Sequence, residues 1–387
     1  MSAGRTWVKQ NLGFDPIDEP APAKSFAFQA AAKARPKDED LQREIIDFDS
    51  EGAEGMAFMQ FSTATGLSRF TEIKWPKGLD PQTDAVARKG KSGALPKADV
   101  LIVTWTVDEG HALSRVLTPG KDSRNNYVPY THNYGTISKK MRRGCPALMA
   151  KRLGAYWTGM IDKKRIVVFK SESHMSQDTG KKQPPAGTTL PNEDLWLQII
   201  TEVQPLLVIT TGTAGGIGRR CEVGDVVVSP IVRFDGKKWL KTAPYGSAHF
   251  ADGAPRRKYL SQVGRLFKAN SAQLPKTNTR APAVSVSTKL SSAVLTTDFF
   301  GFDTTKNFYG LKNLGAVSEM GDAILGLVMS RLGARAPAWV AVRNVSDPQI
   351  KSEGTISEQA KTAATIYKAY GRWSSVCSAI VCWALIA

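Results

Sequence analysis

The chain has 387 residues, of which 42% are hydrophobic, and its 52 Lys and Arg against 35 Asp and Glu give a formal net charge of +17. This composition excludes a wholly disordered chain, and the length allows two domains of ordinary size or one larger α/β domain with extensions. The basic surplus favours anionic partners such as nucleotides, nucleic acid or acidic surfaces, with a merely solvated basic surface as the even alternative.

Residues 1–95 differ in composition from the rest, because they are rich in Ala, Pro, Lys and Asp and have few β-branched runs. ARPKDEDLQREIIDF predicts one short helix there, and WPKGLDPQTDAVARKGKSGALPK indicates a loop or linker. We therefore predict an N-terminal extension, partly irregular, over residues 1–95 and a folded domain over residues 96–387.

Targeting and redox signals predict a cytoplasmic protein. The first residues, MSAGRTWVKQNLGFDP, lack an apolar signal core. The apolar stretch at 376–387, VCSAIVCWALIA, is too short to span a bilayer and predicts a core helix, so we expect no membrane association. The four cysteines match no zinc spacing and are expected to be reduced thiols, mostly buried: Cys145, Cys221, Cys377 and Cys382.

From Ala98 onward, apolar β-rich runs alternate with segments of helical spacing. In chain order the predicted elements are a strand at 98–106, a helix at 108–117, a strand at 165–170, a helix at 192–203 capped by Asn192, strands at 206–211, 225–233 and 281–290, a helix at 319–333 stopped by Gly333, a strand and turn at 338–347, and one or two helices from about residue 357. This alternation predicts a buried, mostly parallel or mixed sheet that binds its ligand at the carboxyl ends of strands.

Carboxylates follow three of the four strand ends that carry polar groups. The residues at these ends are Asp108 and Glu109, then Thr210, Thr211 and Thr213, then Glu319 and Asp322, and finally Ser346 and Asp347. Taken singly, each has a plain explanation as a cap, a turn or a partner of a helix dipole. Taken together, they favour a site, because paired carboxylates are what acid–base cleavage of a glycosidic bond requires.

Three segments resemble one family. TTGTAGGIGRRCEVGDVVVSP (210–230), VSEMGDAI and VAVRNVSD are similar in order and spacing to the signature of the nucleoside phosphorylase and nucleosidase superfamily. The resemblance covers residues from about 98 to 387. It implies a three-layer α/β/α nucleoside-phosphorylase-type fold around a central mixed β-sheet, and a homo-oligomer.

The resemblance also implies roles for individual residues. Asp347 would be the general acid at N7 of a departing purine, held by Ser346, and Glu109 would be the base that activates water. Phe300 would stack on the purine, with Phe299 and Phe302 as alternatives. The remaining expected substrate-binding residues border the ribose and the water: Thr213, Ala214, Gly215, Glu319, Met320 and Asp322.

Three departures from the family pattern change what is expected. Gly321 stands where the family has a glutamate that grips the ribose hydroxyls, so either Asp322 replaces it or the sugar is held differently. Trp105 stands where nucleosidases have a smaller residue or methionine. Thr210 stands where the phosphorylases have an arginine for their phosphate nucleophile, so water is the expected nucleophile here.

The sequence therefore predicts an N-ribosyl hydrolase that releases free base from a purine nucleoside or nucleotide. Phosphorolysis is the first alternative, and a non-catalytic module that binds nucleotide or nucleic acid is the second. Because the four histidines have no metal-ligand spacing, we expect no metal and no other cofactor.

Overall fold

The computed structural model describes most of the chain from residue 73 onward. The described residues are 73, 75–84, 93–120, 127–142, 145–173, 187–217, 221–236, 240–253, 258–269, 278–298, 307, 309–348 and 356–387.

Within these residues the strands form one sheet of thirteen members. The strands are β1 Gln82–Thr83, β2 Val100–Thr104, β3 Val128–Tyr130, β4 Gly154–Ile161, β5 Lys164–Ser171, β6 Leu207–Gly216, β7 Val226–Ser229, β8 Ile231–Asp235, β9 His249–Ala251, β10 Val284–Val286, β11 Val294–Thr297, β12 Val317–Glu319 and β13 Ala338–Asp347.

Helices connect these strands. The α-helices of the described residues are α1 Val107–Leu117, α2 Tyr134–Ile137, α3 Pro146–Ala150, α4 Pro191–Val203, α5 Leu260–Ala269, α6 Asp322–Leu332 and α7 Ile356–Ile386. Short 3₁₀ turns lie at Ser138–Lys140, Leu290–Ser292 and Gly333–Arg335.

The sheet is mixed and centred on β6. Its main path runs β1-β4-β5-β2-β6-β12-β11-β8-β9. β6 pairs in parallel with β2 and with β13, and its last two residues pair antiparallel with β12. β13 continues to β7, and β7 to β10. β6 therefore contacts three strands and places their ends beside its own.

Helices cover both faces of the sheet. Alternate residues of β2 divide between two buried clusters, with Leu101 and Val103 facing α4 and α6, and Val100 and Ile102 facing α1, α5 and α7. Such a strand is buried on both faces and is therefore a continuous apolar run. The predicted three-layer α/β/α arrangement around a mixed sheet is confirmed.

Three local predictions are wrong. The strand predicted at 206–211 does not end there, because β6 runs on through the glycines to Gly216 in register with β13. DVVVSPIVR is not one strand: it divides into β7 and β8 at Pro230, which has no amide hydrogen for a ladder. Asn192 does not cap α4, which begins at Pro191 after Leu190, without a side-chain cap.

The C-terminal half of α7 fills the core, as the apolar run at 376–387 predicts. Residues 376–386 are all buried. None of the helices in the described part of the chain is long and apolar enough to cross a membrane. All four cysteines are free, and three of them are buried: Cys145, Cys377 and Cys382.

Two residues of the predicted N-terminal extension, Trp75 and Leu79, contact this helix, and a third, Leu95, contacts α4. The rings of Trp75 and Trp383 lie 4.3 Å apart between centroids, and the Trp383 indole Nε1 donates to the Leu79 carbonyl at 2.8 Å. Leu95 is buried, and its amide donates to Glu202 at 2.7 Å. Part of the predicted extension is thus packed on the sheet's helical layer.

Candidate active site

The carboxyl ends of three neighbouring parallel strands meet at one edge of the sheet. β6 lies between β2 and β13 and runs parallel to both. β2 ends at Thr104 and β13 at Asp347, which lies opposite Gly215 of β6. This edge is where ligands bind in open α/β sheets, and it collects most of the predicted site residues.

Glu109 is fixed in the first turn of α1 by a capping box. The Thr106 hydroxyl accepts from the Glu109 amide at 3.1 Å, and Glu109 Oε2 accepts from the Thr106 amide at 2.9 Å. Oε2 also accepts from the Trp105 amide at 3.1 Å and the Thr104 hydroxyl at 2.7 Å. Oε1 accepts from the Thr213 amide at 2.7 Å and the Thr213 hydroxyl at 2.8 Å.

These contacts keep the Glu109 carboxyl ionised. Burial raises its pKa, but the charge of Arg343 and the hydrogen bonds from Thr213, Thr106 and Thr104 together outweigh burial, so the pKa lies below its usual value. A buried, ionised carboxylate at a strand end is suited to accept a proton.

Gly212 allows Glu109 to come this close to β6. Its φ is +159°, and a Cβ at this position would lie 2.5 Å from Glu109 Oε1 and 2.9 Å from Arg343 Nη1. Such contacts are closer than real Cβ atoms approach, so a side chain here would displace either the carboxylate or the guanidinium.

Arg343 is a site residue that the sequence analysis missed. Its guanidinium is buried, donates through Nε to Asp322 Oδ2 at 2.8 Å and through Nη2 to Asp322 Oδ1, and lies 3.1 Å from Glu319 Oε2. The guanidinium carbon lies 4.7 Å from the Trp105 ring centroid. The available signal was an arginine inside the apolar run AWVAVRNV, since arginine is almost never fully buried unless it is paired.

Glu319 and Asp322 both form ion pairs with Arg343. The Thr296 hydroxyl and the Asp322 amide both donate to Glu319 Oε1, the amide at 2.9 Å. Burial raises the pKa of Glu319 to about 8, and the Asp322 charge adds to this against the opposing charge of Arg343. The pKa of Glu319 is therefore shifted in the opposite direction to that of Glu109.

Asp347 is buried, and among the residues that the structure describes the Ser346 hydroxyl is the side-chain group that donates to it. The Ser346 hydroxyl donates to Asp347 Oδ1 at 2.6 Å and lies 3.4 Å from the Ala214 carbonyl oxygen. Burial raises the pKa of Asp347 to about 6, and the Ser346 hydrogen bond only partly opposes this. Asp347 therefore differs from Glu109, because its surroundings favour the protonated acid.

The other predicted site residues fall into two groups. Met320 is half-buried and lies directly after β12. Gly321 follows it, and a Cβ at that position would lie 3.3 Å from the Trp105 ring. Phe300, with the alternatives Phe299 and Phe302, lies outside the described residues, so the structure does not place the predicted base-stacking ring.

A second group of buried charges lies beside Glu109, and the sequence analysis missed it too. Lys170 at the end of β5 forms an ion pair with Glu172, which also accepts from Arg152 Nε at 3.0 Å and Nη2 at 2.8 Å. Burial lowers the pKa of Lys170, against the opposing charge of Glu172. Two cations share one carboxylate here, so the group carries excess positive charge.

Among the described residues, no group of three or more His, Cys, Asp or Glu side chains is arranged to hold a metal ion. A cavity of about 340 Å³ opens at the other edge of the sheet, where β2, β6 and β13 begin, and it contains Val100, Leu207 and Val340 but none of the predicted site residues. The polar cluster at the carboxyl ends, rather than this apolar cavity, carries groups suited to catalysis.

Comparisons with known proteins agree with the pattern of the sequence. The family model described as the Phosphorylase superfamily matches residues 146–381, a range that includes β6, β12 and β13 but not Glu109. A 5′-methylthioadenosine/S-adenosylhomocysteine nucleosidase of Halalkalibacterium halodurans is 36% identical over 80 residues, which are 21% of this chain and 29% of that relative.

Two solved structures were also matched. The nucleosidase of the same description from Helicobacter pylori is 14% identical, with 73% of this chain and 95% of that chain covered and a TM-score of 0.44. The futalosine hydrolase of Helicobacter pylori is 13% identical, with 74% and 96% covered and a TM-score of 0.44.

Proposed function

The chain belongs to the phosphorylase superfamily, and from this membership and the geometry of the site we propose that it hydrolyses the N-glycosidic bond of a purine nucleoside or nucleotide. The Halalkalibacterium halodurans nucleosidase, of which 29% of the length is matched, supports this activity. Asp347 is the proposed general acid and Glu109 the proposed base.

One observation carries this proposal: the pKa values of two buried carboxyl groups beside β6 are shifted in opposite directions. The pKa of Glu109 is held below its usual value, whereas burial raises that of Asp347 to about 6. Pairs of titratable groups whose environments separate their pKa values are the ones to which acid and base roles are assigned. Hydrolysis of a glycosidic bond needs one of each.

The proposed reaction is balanced by these two groups. Asp347 gives its proton to N7 of the purine as the bond between C1′ of the sugar and N9 breaks. Glu109 takes a proton from a water molecule, and the water oxygen bonds to C1′. Free base and free sugar leave, and a proton passes from Glu109 back to Asp347 through solvent to restore the enzyme.

The carboxylates around Arg343 favour water over phosphate as the nucleophile. Glu109, Glu319 and Asp322 all surround Arg343, whose guanidinium is already engaged by two of them. A phosphate dianion placed there would meet uncompensated carboxylate charge, which is costly in a buried site. Thr210, where the phosphorylases have arginine, is buried and offers no charge.

The sugar is proposed to lie between Thr213, Ala214 and Gly215 on one side and Glu319 and Met320 on the other. The Glu319 carboxyl is the proposed hydrogen-bond partner of a sugar hydroxyl. Trp105 lies next to Gly321, so an apolar ring borders the place where the family has its second glutamate. The sugar is therefore held differently from the family pattern.

The substrate's charge and the protein's setting remain proposals. The surplus of +17 supports a nucleotide, whose phosphate a basic surface attracts. A homo-oligomer, which the family resemblance implies, and a cytoplasmic location are proposed as well, and nucleic acid remains an alternative anionic partner.

The test is a substrate screen by chromatography. The full chain is incubated with adenosine, methylthioadenosine, AMP and ATP in phosphate-free buffer, together with the variants Asp347→Asn and Glu109→Gln. We expect base release from at least one substrate and a loss of about 10² to 10⁴ in turnover for each variant. Absence of base release from every compound would refute hydrolysis, and an unchanged rate in Asp347→Asn would refute its role.

Phosphorolysis is the second candidate, favoured by one observation. The excess positive charge of Lys170 and Arg152 over Glu172 lies beside Glu109 and could attract phosphate. This candidate requires added phosphate for base release and yields sugar 1-phosphate. The same screen with phosphate added separates the two reactions.

A further inference from the structure

Trp105 lies between the proposed base and the turn that leads into α6. Its backbone amide donates to Glu109 Oε2 at 3.1 Å. Its ring lies against Gly321, where a Cβ would be 3.3 Å from the ring atom Cζ2. The whole residue is buried. One residue therefore borders the base at the end of β2 and also fills the space beside the turn between β12 and α6.

Two neighbours fix the position of this ring. The guanidinium carbon of Arg343 lies 4.7 Å from the centroid of the Trp105 ring. The ring of Trp196 in α4 meets it nearly edge-on, with 6.2 Å between the centroids and 66° between the planes. A cation over a tryptophan face and an edge-on aromatic neighbour are both favourable contacts. The ring therefore has a defined place beside Gly321.

The space taken by this ring explains the glycine at position 321. The φ of Gly321 is −171°, an extended value that other residues also adopt, so φ does not require glycine there. A Cβ 3.3 Å from Trp105 would instead be tighter than nine in ten real Cβ contacts, and it would lie 3.7 Å from Glu319 Oε2. Trp105 and Gly321 thus form a matched pair, in which the large residue uses the room that the small one leaves.

The carboxylates beside this ring have few oxygens left for a sugar. Both oxygens of Asp322 accept from Arg343, and Asp322 is fully buried. Glu319 Oε1 accepts from the Thr296 hydroxyl and from the Asp322 amide. Glu319 Oε2 lies 3.1 Å from Arg343 Nη2. Among the described groups of this turn, Glu319 Oε2 is therefore the carboxylate oxygen best able to accept one more hydrogen bond.

We propose that Trp105 is a specificity-determining residue: with Gly321 it presents an apolar wall to the sugar and selects purine deoxyribonucleosides over ribonucleosides. A deoxyribose has one hydroxyl on C2′ and C3′ together, and Glu319 can bind it. A ribose has two, and the second faces the ring without an acceptor. A buried hydroxyl without a partner loses its hydrogen bonds to water, which disfavours the ribonucleoside. This inference names the substrate class of the proposed function and rests on that function for the place of the sugar.

The first test is a matched substrate series. The full chain is incubated in phosphate-free buffer with adenosine, 2′-deoxyadenosine and 3′-deoxyadenosine, and with the corresponding three forms of guanosine. We expect kcat/KM for a deoxyribonucleoside to exceed that for its ribonucleoside by about tenfold or more. A ribonucleoside that is cleaved as well as both of its deoxy forms, or better, would overturn the inference.

Variants separate selection by Trp105 from the chemistry of the substrate, because a sugar without its 2′-hydroxyl also loses its base more readily. In Trp105→Ala, water can enter and solvate the second hydroxyl, so we expect the preference for deoxyribonucleosides to fall about fivefold or more. Trp339→Ala is the matched control: Trp339 is equally buried but begins β13 at the other edge of the sheet. Because each preference is a ratio within one protein sample, partial unfolding does not alter it. An unchanged preference in Trp105→Ala, or an equal change in Trp339→Ala, contradicts the role of Trp105.

A binding measurement without turnover distinguishes this inference from the proposed function. Asp347→Asn, in the full chain, is titrated calorimetrically with the same nucleosides. We expect a deoxyribonucleoside to bind about tenfold more tightly than its ribonucleoside. Equal affinities, tighter binding of the ribonucleosides, or no binding of any of them overturns the inference. A preference for deoxyribonucleosides in binding, with no base release by the parent chain, refutes only the proposed function.

Discussion

Asp347 shows how a functional role can oppose stability at a single residue. Its carboxyl is buried, and within the described part of the chain the Ser346 hydroxyl is the group that opposes the effect of burial on its pKa. The folded state therefore favours the protonated form. That preference is what a general acid needs, and it makes the ionised form costly above the pKa.

The raised pKa of Asp347 makes the stability of the fold depend on pH. The pKa of Asp347 rises from its ordinary 3.8 to about 6 on folding. The stabilising contribution is thus fully present below 3.8 and is lost as the pH rises through 6. At about 1.4 kcal/mol per pKa unit, the loss by pH 7.5 is roughly 3 kcal/mol.

We therefore expect Asp347→Asn to stabilise the fold while it abolishes turnover. Urea unfolding at pH 7.5 should give a free energy of unfolding up to about 3 kcal/mol higher than that of the parent chain. The gain should disappear near pH 4. A variant that is destabilised at pH 7.5 and shows no such pH dependence would contradict the burial of an acid at this position.

At the scale of elements, the site depends on how three strands end. The apolar runs predict the strands and the sheet, and the carboxylates at their ends predict where the site lies. Sequence could not show that β6 continues through TTGTAGG, because its pairing with β13 is set by the tertiary register.

The buried charges illustrate the same limit. Arg343, Lys170 and Arg152 each lie within or next to an apolar strand run, where a cation is a signal of a buried partner. Arg343 pairs with Asp322 and Glu319. Lys170 and Arg152 both pair with Glu172. Which carboxylate meets which cation depends on strand order, and strand order is not visible in a single sequence.

Gly212 tests the close approach of β6 to α1. In Gly212→Ala the new Cβ would collide with Glu109 Oε1 and Arg343 Nη1, so we expect base release to fall at least 100-fold while the circular dichroism stays native. Gly135→Ala is the control, because a Cβ at that exposed helical position meets nothing within 4 Å. Retained activity in Gly212→Ala would show that Glu109 does not need its present position.

At the scale of the whole molecule, α7 packs both against the sheet and against residues from the N-terminal side of the chain. The C-terminal half of this helix is buried beneath one face of the sheet, and residues 75–79 lie against its end through Trp75 and Leu79. The predicted domain boundary at residue 95 therefore remains a proposal that rests on the change in composition there. The contacts favour counting residues 75–84 with the folded domain.

Trp75→Ala measures this attachment. Loss of the half-buried ring that packs on Trp383 should lower the free energy of unfolding by about 2 kcal/mol. Lys77→Ala, an exposed neighbour in the same segment, should change it by less than about 0.5 kcal/mol. Equal stabilities for the two variants would mean that the segment contributes nothing to the fold.

The fate of the water oxygen tests the central claim most directly. The full chain is incubated in phosphate-free H₂¹⁸O with the nucleoside or nucleotide that the screen selects, and the sugar product is weighed by mass spectrometry. We expect free base and a sugar that carries one ¹⁸O from the attack at C1′, with neither product formed by Asp347→Asn at a comparable rate. To separate hydrolysis from solvent exchange at C1′, the sugar is sampled early and compared with unlabelled sugar added to the same medium. A requirement for phosphate, with sugar 1-phosphate as the product, would contradict the account.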